Sequence, residues 1–199
     1  MKKTFFISAT NTDVGKTYAS AYFLEKYSKL GYKVGYFKPI ETGVIKAPLD
    51  GTKMLKLCKK LNPDFKASIT DVVPYQFKLP ASPFVSKGDT KLSIDFIKEK
   101  KDFLLQFCDI LIIEGAGGLM VPLELDYFMI DLAKDLQAPI KLITPAKLGC
   151  INDTLLSLEM LRNKKLSFEW YINLHNNKEE FCELTLPFYK KYFDDLKFI

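Results

Sequence analysis

The sequence is poor in the residues that bind transition metals. His175 is its single histidine, and its four cysteines, Cys58, Cys108, Cys150 and Cys182, lie far apart without a C-x-x-C pair. Zinc sites need clustered Cys and His ligands, so this composition argues against one. Each cysteine has mostly apolar neighbours, which favours buried free thiols and a reducing compartment.

Long apolar runs and runs of basic residues are also missing. No segment approaches the roughly 20 apolar residues of a membrane span, and the start, MKKTFFISA, has too short an apolar run for a secretory signal. The formal net charge of +5 is spread along the chain without a basic arm. These absences favour a cytoplasmic protein and predict neither a nucleic-acid nor a membrane partner.

The composition that remains is globular. The 199 residues are 48% hydrophobic and 27% charged, enough for one domain over 1–199 with a substantial core. Short β-rich runs alternate with helical stretches, which predicts an α/β fold with a mostly parallel sheet flanked by helices. We predict strands at 3–8, 33–38, 110–114, 140–144 and 170–174, and helices at 16–30, 51–61, 92–107, 129–137, 151–164 and 178–195.

The stretch ATNTDVGKT, residues 9–17, lies between the first predicted strand and the first predicted helix. In a phosphate-binding loop, the helix start and loop amides hold phosphates, the lysine reaches the terminal phosphates and the threonine binds magnesium. Lys16 and Thr17 suit these roles, although Thr10 replaces the usual first glycine. The stretch predicts a three-layer phosphate-loop NTPase fold; a capped helix start with a surface lysine is the alternative.

A second candidate is the glycine-rich stretch EGAGG, residues 114–118, which follows the apolar run ILII. In phosphate-loop enzymes a carboxylate at this place commonly helps to hold magnesium near the loop threonine. The alternative is a glycine-rich turn with a solvated glutamate. The presence of GKT in the same chain favours the magnesium role for Glu114.

Other polar residues follow the remaining predicted strands. Lys38, in KPIETG, would point into the same crevice and could neutralise an anionic intermediate, but an exposed, idle lysine fits the pattern equally well. Asn152, in KLGCIN, suits a helix cap. Asn173 could bind a base or satisfy backbone groups. His175 lies in a polar stretch and is expected to be solvated.

Four motifs together resemble the dethiobiotin synthetase family over about residues 4–175. They are TNTDVGKT, KPIETG, EGAGGLMVPL and KLGCIN, against the family's T-D-T-x-V-G-K-T, K-P-x-x-[ST]-G, E-G-A-G-G and K-L-G-x-I-N. The resemblance implies an enzyme that joins CO2 to 7,8-diaminononanoate with ATP and Mg2+. One amine forms a carbamate, ATP converts it to a carbamic-phosphoric anhydride, and the second amine closes a cyclic urea with loss of phosphate.

The resemblance also implies roles for individual residues. Lys16 and Lys38 would be catalytic, and Thr17 and Glu114 would hold magnesium. The residues implied in ATP binding are Asp13, Val14, Gly15, Lys16, Thr17, Tyr18, Glu114, Gly115, Ala116, Gly117 and Asn173, the last at the adenine. The residues implied in substrate binding are Thr42, Leu148 and Asn152. The Lys147–Asn152 loop would act across the boundary of a homodimer.

The chain departs from the family pattern at three places. Asn11 stands where the family usually has Asp. The second magnesium carboxylate, which follows K-P-x-x-[ST]-G in the family, is matched only loosely, by Asp50. The segment of the type P-x-L-G-x-I-P, which helps to cover the base, has no counterpart in LPFYKKYFDDLKFI.

Three other kinds of protein compete with this interpretation. A partitioning ATPase usually has a second lysine early in its phosphate loop, where this chain has Ala9-Thr10-Asn11. A ligase that amidates a corrin usually has an added glutaminase domain, for which we expect no room in 199 residues. A non-enzymatic nucleotide-binding module would leave Lys38 and Thr42 unexplained.

The missing base-covering motif predicts weak discrimination between nucleotide bases. We expect GTP and CTP to replace ATP as phosphoryl donors with modest loss, which steady-state kinetics with each nucleotide would measure. A strong and tight preference for ATP would contradict this expectation.

Overall fold

The computed structural model describes residues 2–175 and 178–199. Its strands are β1 (Lys3–Ala9), β2 (Val34–Phe37), β3 (Ile40–Thr42), β4 (Tyr75–Phe77), β5 (Ile110–Gly118), β6 (Pro122–Glu124), β7 (Tyr127–Phe128), β8 (Ile140–Pro145) and β9 (Phe168–Asn173). Its helices are α1 (Lys16–Lys29), α2 (Leu49–Leu61), α3 (Ile69–Val72), α4 (Pro83–Ser86), α5 (Ile94–Leu104), α6 (Met129–Asp135), α7 (Cys150–Asn163), α8 (Lys178–Glu180) and α9 (Leu186–Tyr192).

The centre of the molecule is a five-stranded sheet with the order β2-β5-β1-β8-β9. All four strand pairs are parallel, which confirms the predicted α/β class. Helices cover the sheet, so its inner strands are apolar without alternation: the run Ile110–Ile113 of β5 is buried throughout. Two short pairs, β3 with β4 and β6 with β7, lie outside the central sheet.

The sheet brings chemically active residues to one edge. Strands β1, β2 and β5 are neighbours, and parallel strands present their carboxyl ends at the same side. Lys16 begins α1 after β1, Lys38 follows β2, and Glu114 lies within β5. Strand order, which sequence spacing does not reveal, therefore makes these three residues neighbours.

The long elements lie where the sequence predicts them, and most differences are at their ends. The predicted strand 110–114 continues to Gly118, because Gly118 still pairs with Ala9 of β1. The predicted helix 92–107 begins only at Ile94 and finishes as a 3-10 turn. The predicted helix 178–195 is interrupted, since a π-helical segment, Phe181–Thr185, joins α8 to α9.

Three of the four cysteines are buried free thiols, as predicted, but Cys182 is exposed. The prediction was wrong there because Phe181, its neighbour in the π-helical segment, takes the buried position. Within the part of the chain that the structure describes, no helix combines the length and the apolarity needed to cross a membrane. The assignment of 1–199 to one domain stays a prediction.

Candidate active site

A cleft of about 790 Å³ opens at the carboxyl edge of the sheet. Its lining comes from the loop after β1, from β3 and the start of α2, from the segment before α4, and from β5. The lining residues are Thr12, Asp13, Gly15, Lys16, Thr17, Lys38, Ile40, Glu41, Thr42, Gly43, Leu49, Asp50, Pro80, Ala81, Ser82, Pro83, Glu114, Ala116, Gly117 and Val121. The volume lies within the range of small-molecule and cofactor sites.

The loop between β1 and α1 has the geometry of an anion site. Gly15 caps α1 with a positive φ of 98° and no side-chain hydrogen bond to the helix, so no side chain takes up the first amide groups. Only glycine fits at this position: an added Cβ would lie 2.2 Å from Nδ2 of Asn173. Asn173 itself donates through Nδ2 to the carbonyl of Val14 at 2.9 Å.

Glu114 is the centre of the polar network in the cleft. Its side chain is only 1% exposed, so its charge needs several donors. Oε1 accepts hydrogen bonds from Thr17 Oγ1 at 2.9 Å and from Lys38 Nζ at 2.7 Å. Oε2 accepts from Ser20 Oγ at 2.7 Å and from the Tyr36 hydroxyl at 3.0 Å. The prediction that Glu114 is more than a solvated turn residue is consistent with this burial.

Lys38 is the cation that balances this buried carboxylate. It is 5% exposed, and its Nζ also lies 3.1 Å from Asp50 Oδ2. Burial alone would lower the pKa of Lys38, but Glu114 and Asp50 together raise that pKa above its usual range. Burial alone would raise the pKa of Glu114, and Lys38 with the hydroxyl donors holds it below its usual range. Both groups are therefore charged at neutral pH.

Lys16 is in a different electrostatic position. Its Nζ donates to the carbonyl of Asn11 at 3.1 Å. Burial lowers the pKa of Lys16 to about 8, an effect that Glu114 opposes and Lys38 reinforces. Among the residues that the structure describes, no carboxylate forms a hydrogen bond with Lys16 as Glu114 does with Lys38, so a bound phosphate would complete the surroundings of Lys16.

The oxygen atoms around Lys38 suit a hard divalent cation. Thr17 Oγ1 contacts the same Glu114 oxygen as Lys38 does, and Asp50 Oδ2 accepts a hydrogen bond from the same Lys38 ammonium at 3.1 Å. The donor set is thus one hydroxyl and two carboxylates, with a positive charge already between the carboxylates. Mg2+ is commonly held by one or two carboxylates together with substrate phosphates, so these residues fit it.

The structure places many of the residues predicted from the sequence in the cleft. Of the predicted nucleotide and metal residues, the lining includes Asp13, Gly15, Lys16, Thr17, Asp50, Glu114, Ala116 and Gly117, and of the predicted catalytic and substrate residues, Lys38 and Thr42. The alternative of an exposed Lys38 is wrong, since the side chain is buried and forms ion pairs with Asp50 and Glu114; its role in the reaction stays a prediction.

Other predicted residues lie outside the cleft lining. Val14 is packed in the core, and a Cβ on Gly115 would overlap Phe6. Leu148 is 86% exposed. Asn152 is the third residue of α7, whose N-cap is Gly149, so the interpretation of Asn152 as a helix cap is wrong.

Asn173, Tyr18 and His175 form a group beside the phosphate loop. Asn173 Oδ1 accepts from the backbone N–H of His175 at 3.1 Å, so both ends of its amide already bind backbone groups. The exposed His175 ring stacks on Tyr18 with centroids 5.4 Å apart. Exposure of His175 agrees with the sequence, but its aromatic partner was not predicted. Contact of Asn173 with a base stays a prediction.

Three residues that hold the polar groups of the candidate site were not predicted from the sequence. Ser20 and Tyr36 donate to Glu114, and Glu41 binds the start of α2. Ser20 lies three residues after Thr17, on the same face of a helix, and Tyr36 lies two residues before Lys38, on the same side of a strand. These spacings were the available signals. The segment 80–83 of the cleft carried no recognisable signal.

Comparisons with known proteins agree with the fold and with the motifs. The family described as "AAA domain" (AAA_26) matches residues 3–175. A protein of Sulfurovum sp. (strain NBC37-1), named ATP-dependent dethiobiotin synthetase BioD, is 50% identical over 96% of this chain and 91% of its own length. The protein of the same name from Wolinella succinogenes is 42% identical over 95% of this chain and 89% of its own.

Among solved structures, a ParA family ATPase from Chlorobium tepidum TLS resembles the whole chain. The TM-score is 0.58, and the match covers 100% of this chain and 85% of the ATPase, at 15% sequence identity. An identity this low supports the shared fold alone. Together with the family match it confirms the predicted phosphate-loop NTPase fold.

Replacement of Gly15 by Ala should weaken ATP binding at least tenfold, because the added methyl group would displace Asn173 and strain the loop. Isothermal titration calorimetry would measure this. Gly31→Ala is the matched control: its φ is also positive, at 86°, but nothing lies within 4 Å of the added Cβ. ATP binding by Gly15→Ala as tight as by the parent protein would contradict the prediction.

The lowered pKa of Lys16 predicts proton uptake on nucleotide binding. At pH 9, above its pKa of about 8, Lys16 is mostly neutral, and the bound phosphates would restore its proton. We expect up to one proton taken up per ATP at pH 9 and almost none by this group at pH 7. Calorimetry in buffers of different ionisation enthalpy measures the number; equal values at both pH values would refute the assignment.

Proposed function

Because the chain belongs to the family of ATP-dependent dethiobiotin synthetases, we propose that it converts 7,8-diaminononanoate, CO2 and ATP to dethiobiotin, ADP and phosphate. Membership makes it an ATP-dependent ligase of biotin biosynthesis. The observation that supports the proposed chemistry best is the position of Lys38, a buried lysine in the phosphate-loop cleft, held between Glu114 and Asp50.

Two lysines in one cleft suit the charges that this reaction develops. A carbamate and a transferring phosphoryl group are both anionic, and buried cations stabilise them more strongly than cations in water do. Glu114 and Asp50 occupy two of the three N–H donors of Lys38, which leaves one for the carbamate. We assign Lys16 to the terminal phosphates and the carbamate.

We assign magnesium to Thr17, Glu114 and Asp50. When bound, the cation would neutralise charge on the phosphate oxygens. Within this chain, Ser20 and Tyr36 hold Glu114 from its other oxygen, so that Oε1 faces Thr17 and Lys38. These hydroxyl groups orient the carboxylate before any ligand arrives, which lowers the reorganisation that binding requires.

The diamine would lie on the side of the cleft formed by β3 and the segment before α4. Thr42 offers a hydroxyl there. Ring closure is intramolecular, so a site that holds both amines close together would accelerate it by proximity.

We further propose a homodimer in which the Lys147–Asn152 loop of one chain reaches the substrate of the other. Leu148, in this loop, is 86% exposed, as expected of a residue that a second chain would cover. A cytoplasmic location remains the prediction made from the sequence.

A single assay tests the proposed function. The protein is mixed with Mg-ATP, bicarbonate and 7,8-diaminononanoate, and dethiobiotin is followed by mass spectrometry together with phosphate release. We expect product only when every component is present. Phosphate release that is indifferent to the diamine would indicate an ATPase switch and would overturn the proposal.

Replacement of Lys38 by Ala should abolish detectable synthesis while ATP binding is retained. Without its partner, Glu114 would be an unbalanced buried charge, at a cost of about 3–5 kcal/mol in the absence of metal, so thermal unfolding should be recorded beside activity. Lys87→Ala, which breaks an ion pair with Glu124 outside the cleft lining, is the control. Synthesis by Lys38→Ala near the parental rate would refute the role of Lys38.

A further inference from the structure

Glu41 is a buried carboxylate whose contacts are unlike those of the other charged groups in the cleft. It is 6% exposed and lies on the cleft wall in β3. Its oxygens accept backbone hydrogen bonds, Oε1 from Asp50 at 3.1 Å and Oε2 from Gly51 at 3.0 Å. The side chain therefore binds the first turn of α2 across a loop of several residues.

These bonds replace the usual helix cap. The N-cap residue of α2 is Pro48, which offers no side-chain acceptor. Amide groups at the start of a helix need an acceptor from outside the helix, and Glu41 supplies it for two of them. The approach is close, since a Cβ on Gly51 would lie 3.3 Å from Glu41 Oε2 and 2.2 Å from Val73 Cγ2.

The capped turn carries Asp50, whose side chain has little else to fix it. Asp50 is 45% exposed, and its charge contact is with Lys38 at 3.1 Å. The preceding loop is solvent-exposed at residues 45–47, and Pro48, directly before the turn, is buried. The two hydrogen bonds to Glu41, together with the burial of Pro48 and Gly51, fix the Asp50 backbone relative to β3 and Lys38.

We propose that Glu41 is a positioning residue for the divalent-metal site, which acts by fixing the backbone of Asp50 so that the Asp50 carboxylate meets Lys38 and Glu114. The proposal rests on the proposed function only for the presence of magnesium beside the nucleotide. Groups that orient metal ligands commonly contribute ten- to a hundredfold to metal affinity or activity.

The test uses a readout other than catalysis. The dissociation constant of adenylyl imidodiphosphate, a non-hydrolysable ATP analogue, is measured by calorimetry with EDTA and with saturating Mg2+. The dissociation constant in EDTA divided by the dissociation constant in Mg2+ gives the coupling between metal and nucleotide. Glu41→Gln keeps the size of the side chain but loses one acceptor. We expect this variant to reduce the ratio about tenfold and to leave the dissociation constant measured in EDTA unchanged.

A double-mutant cycle decides whether Glu41 acts through Asp50. Asp50→Asn should reduce the ratio at least as much as Glu41→Gln, and adding Glu41→Gln to Asp50→Asn should change it less than twofold. Ser93→Ala is the matched control, because Ser93 caps α5 by accepting from the Phe96 amide, outside the cleft lining. It should lower thermal stability without changing the ratio.

Each other outcome overturns the proposal. Multiplying effects in the double variant would show that Glu41 acts independently of Asp50. An unchanged ratio with a raised KM for the diamine would make Glu41 a substrate-binding group. A wild-type ratio of one would remove the metal site itself. Failure of the proposed function is separate, since it would show as absence of dethiobiotin whatever the ratio.

Discussion

The site depends on the burial of one carboxylate. Glu114 lies within β5, directly after the buried run Ile110–Ile113, where an unpaired charge would be strongly destabilising. Four donors satisfy it, and they come from the phosphate-loop helix and from the strand next to β5. Because this charge must be paired, α1 and β2 lie close to β5. The cleft is the space between these elements.

The same interactions contribute to stability and to the proposed chemistry. A substitution at one of these residues would therefore affect both. In the absence of ligands, Lys38 and Glu114 neutralise each other's buried charge. They are also the residues to which we assign catalysis and metal binding. The ParA family ATPase shares the fold at 15% identity. A shared fold does not by itself determine function.

The sequence was sufficient for the strands of the central sheet, though not for their order, and for half of the site. Strands such as β5 and β8 are continuous apolar runs, and local pattern identifies them. Lys16, Thr17 and Glu114 belong to motifs with fixed local spacing. Elements of two to four residues, such as β3 and α4, are too short for a periodic signal. These elements nevertheless form one wall of the cleft.

The residues that were missed have partners far along the chain. Tyr36 binds a carboxylate 78 positions away, and Ser20 binds the same carboxylate across 94 positions. No local pattern encodes such a contact, because it follows from strand order. Glu41 differs: its partners are only nine and ten residues away, but a side chain that caps a later helix has no recognised motif.

The contact between Gly15 and Asn173 has a consequence for how the protein is made. The phosphate loop leaves the ribosome well before Asn173 of β9, which lies 159 positions after Val14. Strand β1 likewise cannot pair with β5 until β5 has been synthesised, since Lys3 pairs with Ile110. Such non-local pairings make folding slow, because the entropy cost of closing a long loop precedes the stabilising contacts that the closure allows. A nascent chain that has completed its nucleotide motif is thus not yet able to bind nucleotide in the native manner.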